Sequence, residues 1–509
     1  MAADSRSFPK PTPFRARSLA PLVALLGTLG LGSTVACTAN VEGDETTDET
    51  SESAFTASRE VVFSPQTGTA THTAKIAGLI DRAQKTIDVA IYSFSDANIS
   101  AALERATARG VKVRLVFETA RDEKGLTGPA LVASKSGQLE KRGVDVRYVN
   151  KIMHHKMMII DGPRDRKTTA RTAMLVTGSA NWSNSAATKY DENTLFVAGE
   201  QELTLRFQRE FNLMWDNSRD FASASFPFET STLAIPDPIT PDSADVDVKF
   251  TSANFDRNGT TFKSTDRNEV ADELVRAIQG ATKSIHVASG HLRSRPVAEA
   301  IMAKVESDPN LDVRLYLDGQ EFISESGHRE QLADLEDCRT KAAGDAAKLL
   351  DCNDKGFLFG FMVGQKGADV RYKYYMYRWN AQTAPQMHHK YMVIDGSTLY
   401  TGSYNLSDNA EHETFENMTM WKGAKYASLV AAYEANFESM WTTGEADGKL
   451  AALNARVAND ATIPLSFEPM ALTWQQIVDL KANIRSNCRS VDSDAFRRNP
   501  TLASCARTR

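Results

Sequence analysis

The stretch MHHKMMIIDG (153–162) returns as MHHKYMVIDG (387–396), a whole domain further along the chain. The two differences, Met157 against Tyr391 and Ile159 against Val393, lie in the apolar run between Lys and Asp. A strand tolerates exchange there. The polar residues are the part that repeats. Beyond each stretch lies a second shared segment, VTGSANWSNSAATKYDEN (176–193) and YTGSYNLSDNAEHETFEN (400–417). Gly178, Ser179, Asn181, Ser183, Glu192 and Asn193 match Gly402, Ser403, Asn405, Ser407, Glu416 and Asn417 at the same spacing.

Outward from these segments the chain reads as two copies of one plan. A chain of 509 residues is too long for one ordinary core. In copy one the helical pattern of 71–85 is followed by the strand TIDVAIYSF, the helix ISAALERATARG, the strand VKVRLVF, a helix over 131–143 and the strand VDVRYV. Copy two repeats the order with NEVADELVRAIQ, SIHVASGHL, RPVAEAIMAKVES, LDVRLYLDG and ADVRYKYYMY. Alternating helix and strand periods predict an α/β fold, two tandem α/β/α sandwiches with largely buried sheets. The Pro-, Asp- and Ser-rich stretch 222–246 reads as the linker. The domains are then 58–221 and 247–445, with a C-terminal extension over 446–509 that carries no functional signal.

On an extended strand, residues two apart share a face, so His154 projects with Lys156 and His388 with Lys390. If the copies face each other about a pseudo-twofold axis, two His and two Lys converge on one cleft. Such a cleft suits an anion with several oxygens, such as a phosphodiester. An imidazole on each side of phosphorus supplies a nucleophile and an acid for the leaving oxygen. Glu192 and Glu416 are expected to take the Nδ1 proton of the His in their own copy and fix its tautomer. Asp161 and Asp395 sit in Asp-Gly strand ends and are expected to shape turns. A single HxK on a strand is a common surface feature. Lys and Glu preserved in both copies beside His, Asn and Ser are poor core residues and point to a shared site.

The ends and the composition add constraints. Arg6, Lys10, Arg15 and Arg17 precede the apolar run SLAPLVALLGTLGLGSTVA, the plan of a signal peptide over 1–37. The TVAC stretch is similar to a lipoprotein box with Cys37 as the anchor, and the expected location is the cell envelope or outside the cell. Residues 38–57 hold Glu42, Asp44, Glu45, Asp48, Glu49 and Glu52 and no base, the composition of a disordered acidic tether. Four further cysteines predict two disulfides, Cys338–Cys352 and Cys488–Cys505 if sequence neighbours pair. At a net charge of −6 no basic footprint for duplex nucleic acid stands out, and overall charge leaves room for a local basic cleft.

Taken together, the segments resemble the paired HKD motifs of the phospholipase D superfamily: HxKxxxxD, then GSxNxS, then Glu-Asn. The resemblance covers about residues 58–445. It implies one active site at the interface of two α/β/α domains, a phosphohistidine intermediate, and no cofactor or metal. Its catalytic set is His154, Lys156, Asp161, His388, Lys390 and Asp395. His154 would be the nucleophile and His388 the general acid, although the sequence itself does not separate those roles. Lys156, Lys390, Asn181 and Asn405 would bind phosphoryl oxygens, supported by Ser179 and Ser403.

The resemblance implies a phospholipid substrate at a membrane surface, cleaved to phosphatidic acid and an alcohol. Its alternatives are a metal-independent nuclease acting on nucleic acid and a non-catalytic module that binds lipid or phosphate. RYKYYMYRWN (371–380) mixes aromatics with bases and reads as a lid, a headgroup pocket, a stacking surface or an inward-packed strand. GFLFGFMVG (356–364) reads as a lipid-facing loop or a covered strand, and Trp182 as part of the cleft wall.

Overall fold

In the computed structural model, the apolar run of each repeated stretch is a central strand of a large sheet. The structure describes residues 39–42 and 57–509, apart from 223–225, 237–243, 346–347, 350–351, 353–355, 500 and 509. The signal-peptide reading, Cys37 and most of the tether lie outside the described residues. In the first copy the strands are β1 (Ala39–Glu42), β2 (Ser58–Ser64), β3 (Thr86–Ile91), β4 (Lys112–Phe117) and β5 (Val144–Tyr148). They continue with β6 (Ile152–Met153), β7 (Lys156–Ile160), β8 (Met174–Gly178), β9 (Glu192–Ala198) and β10 (Arg219–Asp220). The sheet order is β1-β2-β9-β8-β7-β3-β4-β5-β10. Strands β3, β4 and β5 are parallel and the other pairs antiparallel.

The second copy holds β11 (Val246–Phe250), the hairpin β12 (Phe255–Asn258) and β13 (Thr261–Ser264), β14 (Ser284–Ser289), β15 (Asp312–Asp318) and β16 (Asp369–Met376). Then come β17 (Lys390–Ile394), β18 (Thr398–Gly402), β19 (Thr414–Phe415), β20 (Asn417–Lys422), β21 (Thr462–Pro464), β22 (Ser466–Thr473) and β23 (Ser504–Ala506). Its sheet order, β11-β20-β18-β17-β14-β15-β16-β22, repeats the first from β2 to β5. The register repeats too: Ile91 faces Lys156 as Ser289 faces Lys390. This is the expected fold, two tandem α/β units of one plan.

Side-chain periodicity explains the layers. Along β7, Met157 and Ile159 face one core while Met158 and Ile160 face another. Along β17, Tyr391 and Val393 join Met157 and Ile159 in that first core. The two exchanged positions of the repeat therefore both face a core shared by the two sheets. Helices α1 (His72–Arg82), α2 (Ala97–Ala108), α4 (Glu269–Gly280) and α5 (Arg295–Ser307) pack their apolar faces on the outer sides of the sheets. The Thr71 and Asp96 side chains cap α1 and α2 by accepting from Ala74 N and Ile99 N. Helices α3 (Gln201–Asp216) and α6 (Ala427–Trp441) line the shared core with Phe207, Trp215, Tyr433 and Phe437.

Three expectations change. Residues 39–42, read as tether, pair antiparallel with Ser58–Val61, since a ladder needs only backbone partners. The helix over 131–143 divides into Gly128–Ala133 and Lys135–Lys141, because Ser134 is extended and caps the second piece. The second domain, expected to end at 445, takes in part of the extension: β22 adds to the second sheet beside β16, and α7 (Lys449–Asn459) and α8 (Trp474–Asn487) pack on it. The disulfides are Cys338–Cys352 and Cys488–Cys505, the sequence-near pairing. Among the described residues no helix is long and apolar enough to cross a membrane.

Candidate active site

Each repeated Lys opens a central strand, and each repeated His stands two residues earlier. The chain before each His zips onto the other copy. Strand β6 pairs in parallel with β19, and His154 N donates to Phe415 O at 3.1 Å. In the mirror arrangement Asp191 N donates to Gln386 O and His388 N to Asp191 O, both at 2.9 Å. The residue that follows each zipped segment is Glu416 or Glu192. It therefore meets the His of the other copy: His154 Nδ1 lies 2.6 Å from Glu416 Oε1, and His388 Nδ1 lies 2.7 Å from Glu192 Oε1. The expected pairing within each copy is corrected. The strand that delivers each Glu ends at the seam, so its nearest imidazole belongs to the opposite half.

Glycine makes the approach of β8 to β9 and of β18 to β20 possible. A Cβ on Gly178 would lie 2.4 Å from Asn193 O, and one on Gly402 would lie 2.2 Å from Asn417 O. Ser179 and Ser403 then sit beneath the Glu-Asn pairs, their hydroxyls accepting from Asn193 N at 2.9 Å and Asn417 N at 3.0 Å. Lys156 Nζ donates to His154 O at 2.6 Å, and Lys390 Nζ to His388 O at 2.8 Å. Each ammonium so curls back over its own His. The side-chain oxygens of Asn181 and Asn405 are buried with no partner among the described residues, which leaves both amides uncommitted.

The electrostatics follow from burial. Desolvation, with the charges of Lys156 and Lys390, holds His154 and His388 well below the usual imidazole value. Burial also lowers Lys156 to about 7, against the opposing pull of Glu416, and Lys390 to about 8. It raises Glu192 and Glu416 to about 7 each, opposed by Lys390 and Lys156 respectively. An anion entering between the two Lys would favour their charged forms again.

Asp161 and Asp395 are not in this site. They stand at the far ends of β7 and β17, about 15 Å of strand from the Lys. Asp161 accepts from the amides of Gln84, Lys85 and Thr86, and Asp395 from those of Thr282, Lys283 and Ser284. Both adopt positive φ, 51° and 56°. Their place in the catalytic set is corrected: they close the turn before β3 and β14. Ser183 and Ser407 cap the short helices that follow, accepting from Ala186 N and Ala410 N. Trp182 is buried edge-on against Phe94 and lines no cleft wall. Tyr372, Tyr374, Tyr375 and Tyr377 pack inward, and Phe357 and Phe359 are covered.

Several partners were not singled out from the sequence. The second histidines, His155 and His389, are fully buried. They accept from Asn417 Nδ2 at 2.9 Å and Asn193 Nδ2 at 3.1 Å, again across the copies. Thr177 and Thr401 donate to the same two Asn carbonyls, each at 3.1 Å. All six residues recur in both copies, and that repetition was the signal. Lys373 reaches Asp191 at 2.8 Å and ties the second sheet to the seam. Tyr92 lies edge-on to His154 at 4.7 Å. Its equivalent is Gly290, so no repeat marked it. A hollow of about 630 Å³ lies elsewhere, where Arg206 and Asp247 meet between α3 and β11.

Comparison with known proteins gives the family of the chain. The family described as "Cardiolipin synthase, PLD-like domain" matches residues 76–215 and 274–441. A Danio rerio protein named mitochondrial cardiolipin hydrolase is 34% identical over 139 residues, 27% of this chain and 53% of that protein. The Homo sapiens protein of that name is 30% identical over 147 residues, 28% of this chain and 51% of its own. The chain thus spans about half the length of the curated relatives it matches. The crystal structure of a Haemophilus influenzae phosphatidylserine synthase is 12% identical, with a TM-score of 0.48, over 74% of this chain and 85% of that one. The relatives' mitochondrial name overturns the expected export to the envelope. A basic, acid-poor start is common to export signals and organelle presequences, so it was not specific to export. With both copies and more than half of its residues matched, the chain belongs to the phospholipase D superfamily as a two-copy member.

Proposed function

We propose that the chain is a phosphodiesterase that cleaves phospholipids through a phosphohistidine, releasing phosphatidic acid and an alcohol. The observation that carries the reading is the pair of imidazoles, each with Nδ1 on a buried carboxylate and Nε2 left for chemistry. His154 Nε2 attacks phosphorus while the bond to the leaving oxygen breaks, and His388, charged as the imidazolium once the anionic phosphodiester and Glu192 flank it, gives that oxygen its Nε2 proton. Water then attacks the phosphohistidine and hands its proton to His388. The phosphate monoester leaves and both imidazoles return to their starting forms. An alcohol in place of water gives transfer. Lys156, Lys390, Asn181 and Asn405 hold the non-bridging oxygens, and charge gathering on them in the transition state is what the two ammoniums stabilise. The names of the relatives favour cardiolipin among the phospholipids to be tried.

The test uses purified protein in EDTA with cardiolipin vesicles, phosphatidylcholine vesicles and single-stranded and duplex DNA, and His154→Ala as control. Phosphatidic acid release that vanishes in the variant is the expected result. DNA cleavage without lipid cleavage would move the reading to a nuclease. Lipid binding without any cleavage would move it to a non-catalytic module.

A further inference from the structure

The C-terminal extension is brought against the aromatic and basic segment 371–380. Helix α8 places Lys481 beneath Tyr377, its ammonium donating to the Tyr377 carbonyl at 2.8 Å and lying 4.2 Å from the ring centre. Arg378 and Arg485 stand beside it, both bonded to Asp492, at 3.1 and 2.5 Å. Asp492 also accepts from the Tyr377 hydroxyl. That carboxylate is fully engaged. Among the described residues Lys481 and Arg497 have no carboxylate partner.

Arg378, Lys481 and Arg497 line a trough of about 410 Å³ whose apolar walls include Phe322 and Trp379, and no acid lines it. A second trough of about 620 Å³, also bordered by Trp379, holds Arg498 and again no acid. Burial, with Arg378 and Arg485 adding to it, pulls Lys481 down to about 8. Clustered like charges repel, and a bound anion relieves them. Arg forks match phosphate oxygens, a Lys adds a point charge, and a part-exposed Trp suits the boundary between apolar and wet regions.

The position is also apt. Strands β14, β15 and β16 are parallel, so their C-terminal ends lie together, and antiparallel β17 begins there with Lys390. The trough is built on the residues that leave β15 and β16. Two to three strand spacings separate those residues from β17, on the order of 10–15 Å.

We propose that this trough is a second anion site, which holds a phosphate group of a phospholipid other than the phosphate under attack. The phospholipid reading supplies only the source of that phosphate. The source is either a second phosphate on the substrate molecule or an anionic lipid beside it in the surface.

The experiment uses the full chain, Lys481→Gln and the exposed-site variant Arg497→Gln, which leaves the core untouched. First, inorganic phosphate is titrated while tryptophan fluorescence is read, with Trp379→Phe assigning the signal. A saturable Trp379 response, weakened at least 5-fold by either Gln variant, is expected. Second, KM is compared for cardiolipin and phosphatidylcholine, each dilute in neutral detergent micelles. Third, binding is compared on phosphatidylcholine vesicles with and without phosphatidic acid. A rise in KM confined to cardiolipin, with kcat kept, assigns the site to the substrate's own second phosphate. A loss confined to phosphatidic acid vesicles assigns it to a neighbouring lipid. No Trp379-dependent response, or Arg497→Gln unchanged in all three measurements, overturns the proposal. A phosphate response without lipid cleavage keeps the site and removes the phospholipase reading instead.

Discussion

At the scale of single residues, the crossed Glu–His pairs carry the proposed chemistry. Glu416 holds the nucleophile candidate and Glu192 the acid candidate, each from the opposite copy. Glu416→Gln should slow phosphohistidine formation by about 10²- to 10⁴-fold, read by rapid quench and acid-labile phosphate. Glu192→Gln should act through His388, hurting substrates with poor leaving groups more than those with good ones. Equal losses across leaving groups would sink that assignment. The pH dependence has a sign that can be worked out. Lys156 and Lys390, lowered to about 7 and 8, are charged below those values, so kcat/KM should fall as pH rises through about 7 to 8. Glu192 and Glu416, raised to about 7, lose their charge as pH falls, so activity should decline on that side too. A bell centred near neutrality is expected, and Glu416→Gln should weaken its acid limb. A flat profile between pH 6 and 9 would contradict the burial of these groups.

At the scale of elements, buried polar ties set the strands that carry the site. Asp88 on β3 binds Arg114 on β4 with two bonds of 2.7 Å and Gln208 on α3 at 2.9 Å, and it pairs with Arg164 at 2.5 Å. Burial alone would raise this carboxyl, but the two guanidiniums outweigh it and hold it well below the usual range. The stability it contributes is present above about pH 4 and is lost as the pH falls below that. Asp88→Ala leaves two guanidiniums uncompensated and should cost about 3–5 kcal/mol in denaturant unfolding. Asp161→Ala strips the acceptor from three turn amides and should cost about 1–3 kcal/mol. The sequence showed an Asp-Gly strand end at both places and the turn role followed. Which amides the carboxylate gathers depends on a loop more than seventy residues earlier in the chain.

At the scale of the whole molecule, the copies are not two beads on a linker. One core runs from Phe63, Met157 and Trp215 of the first copy to Tyr391, Trp421 and Phe437 of the second. Across it run the Glu–His, Asn–His and Thr–Asn bonds and the Lys373–Asp191 pair. Unfolding in urea should therefore give one transition, coincident by circular dichroism and tryptophan fluorescence. Two separated transitions would show that the halves are stable alone and that the seam contributes little.

The sequence by itself determined the repeat and the α/β class, and it marked the His, Lys, Asn and Ser from which the proposed site is built. Those features are local: period-2 and helical patterns and short motifs written twice. It could also place a Glu near an imidazole, because Glu192 and Glu416 stand at matched spacing. The tertiary structure decided which imidazole. Residues 152–154 zip onto 414–415, and residues 386–388 onto 191, pairings some 200 residues long that no local pattern encodes. The same holds for Lys481 and Arg497, whose setting is made by residues a hundred positions away. Local chemistry is legible from a string of residues, whereas partners brought together by folding are fixed by the packing of whole sheets.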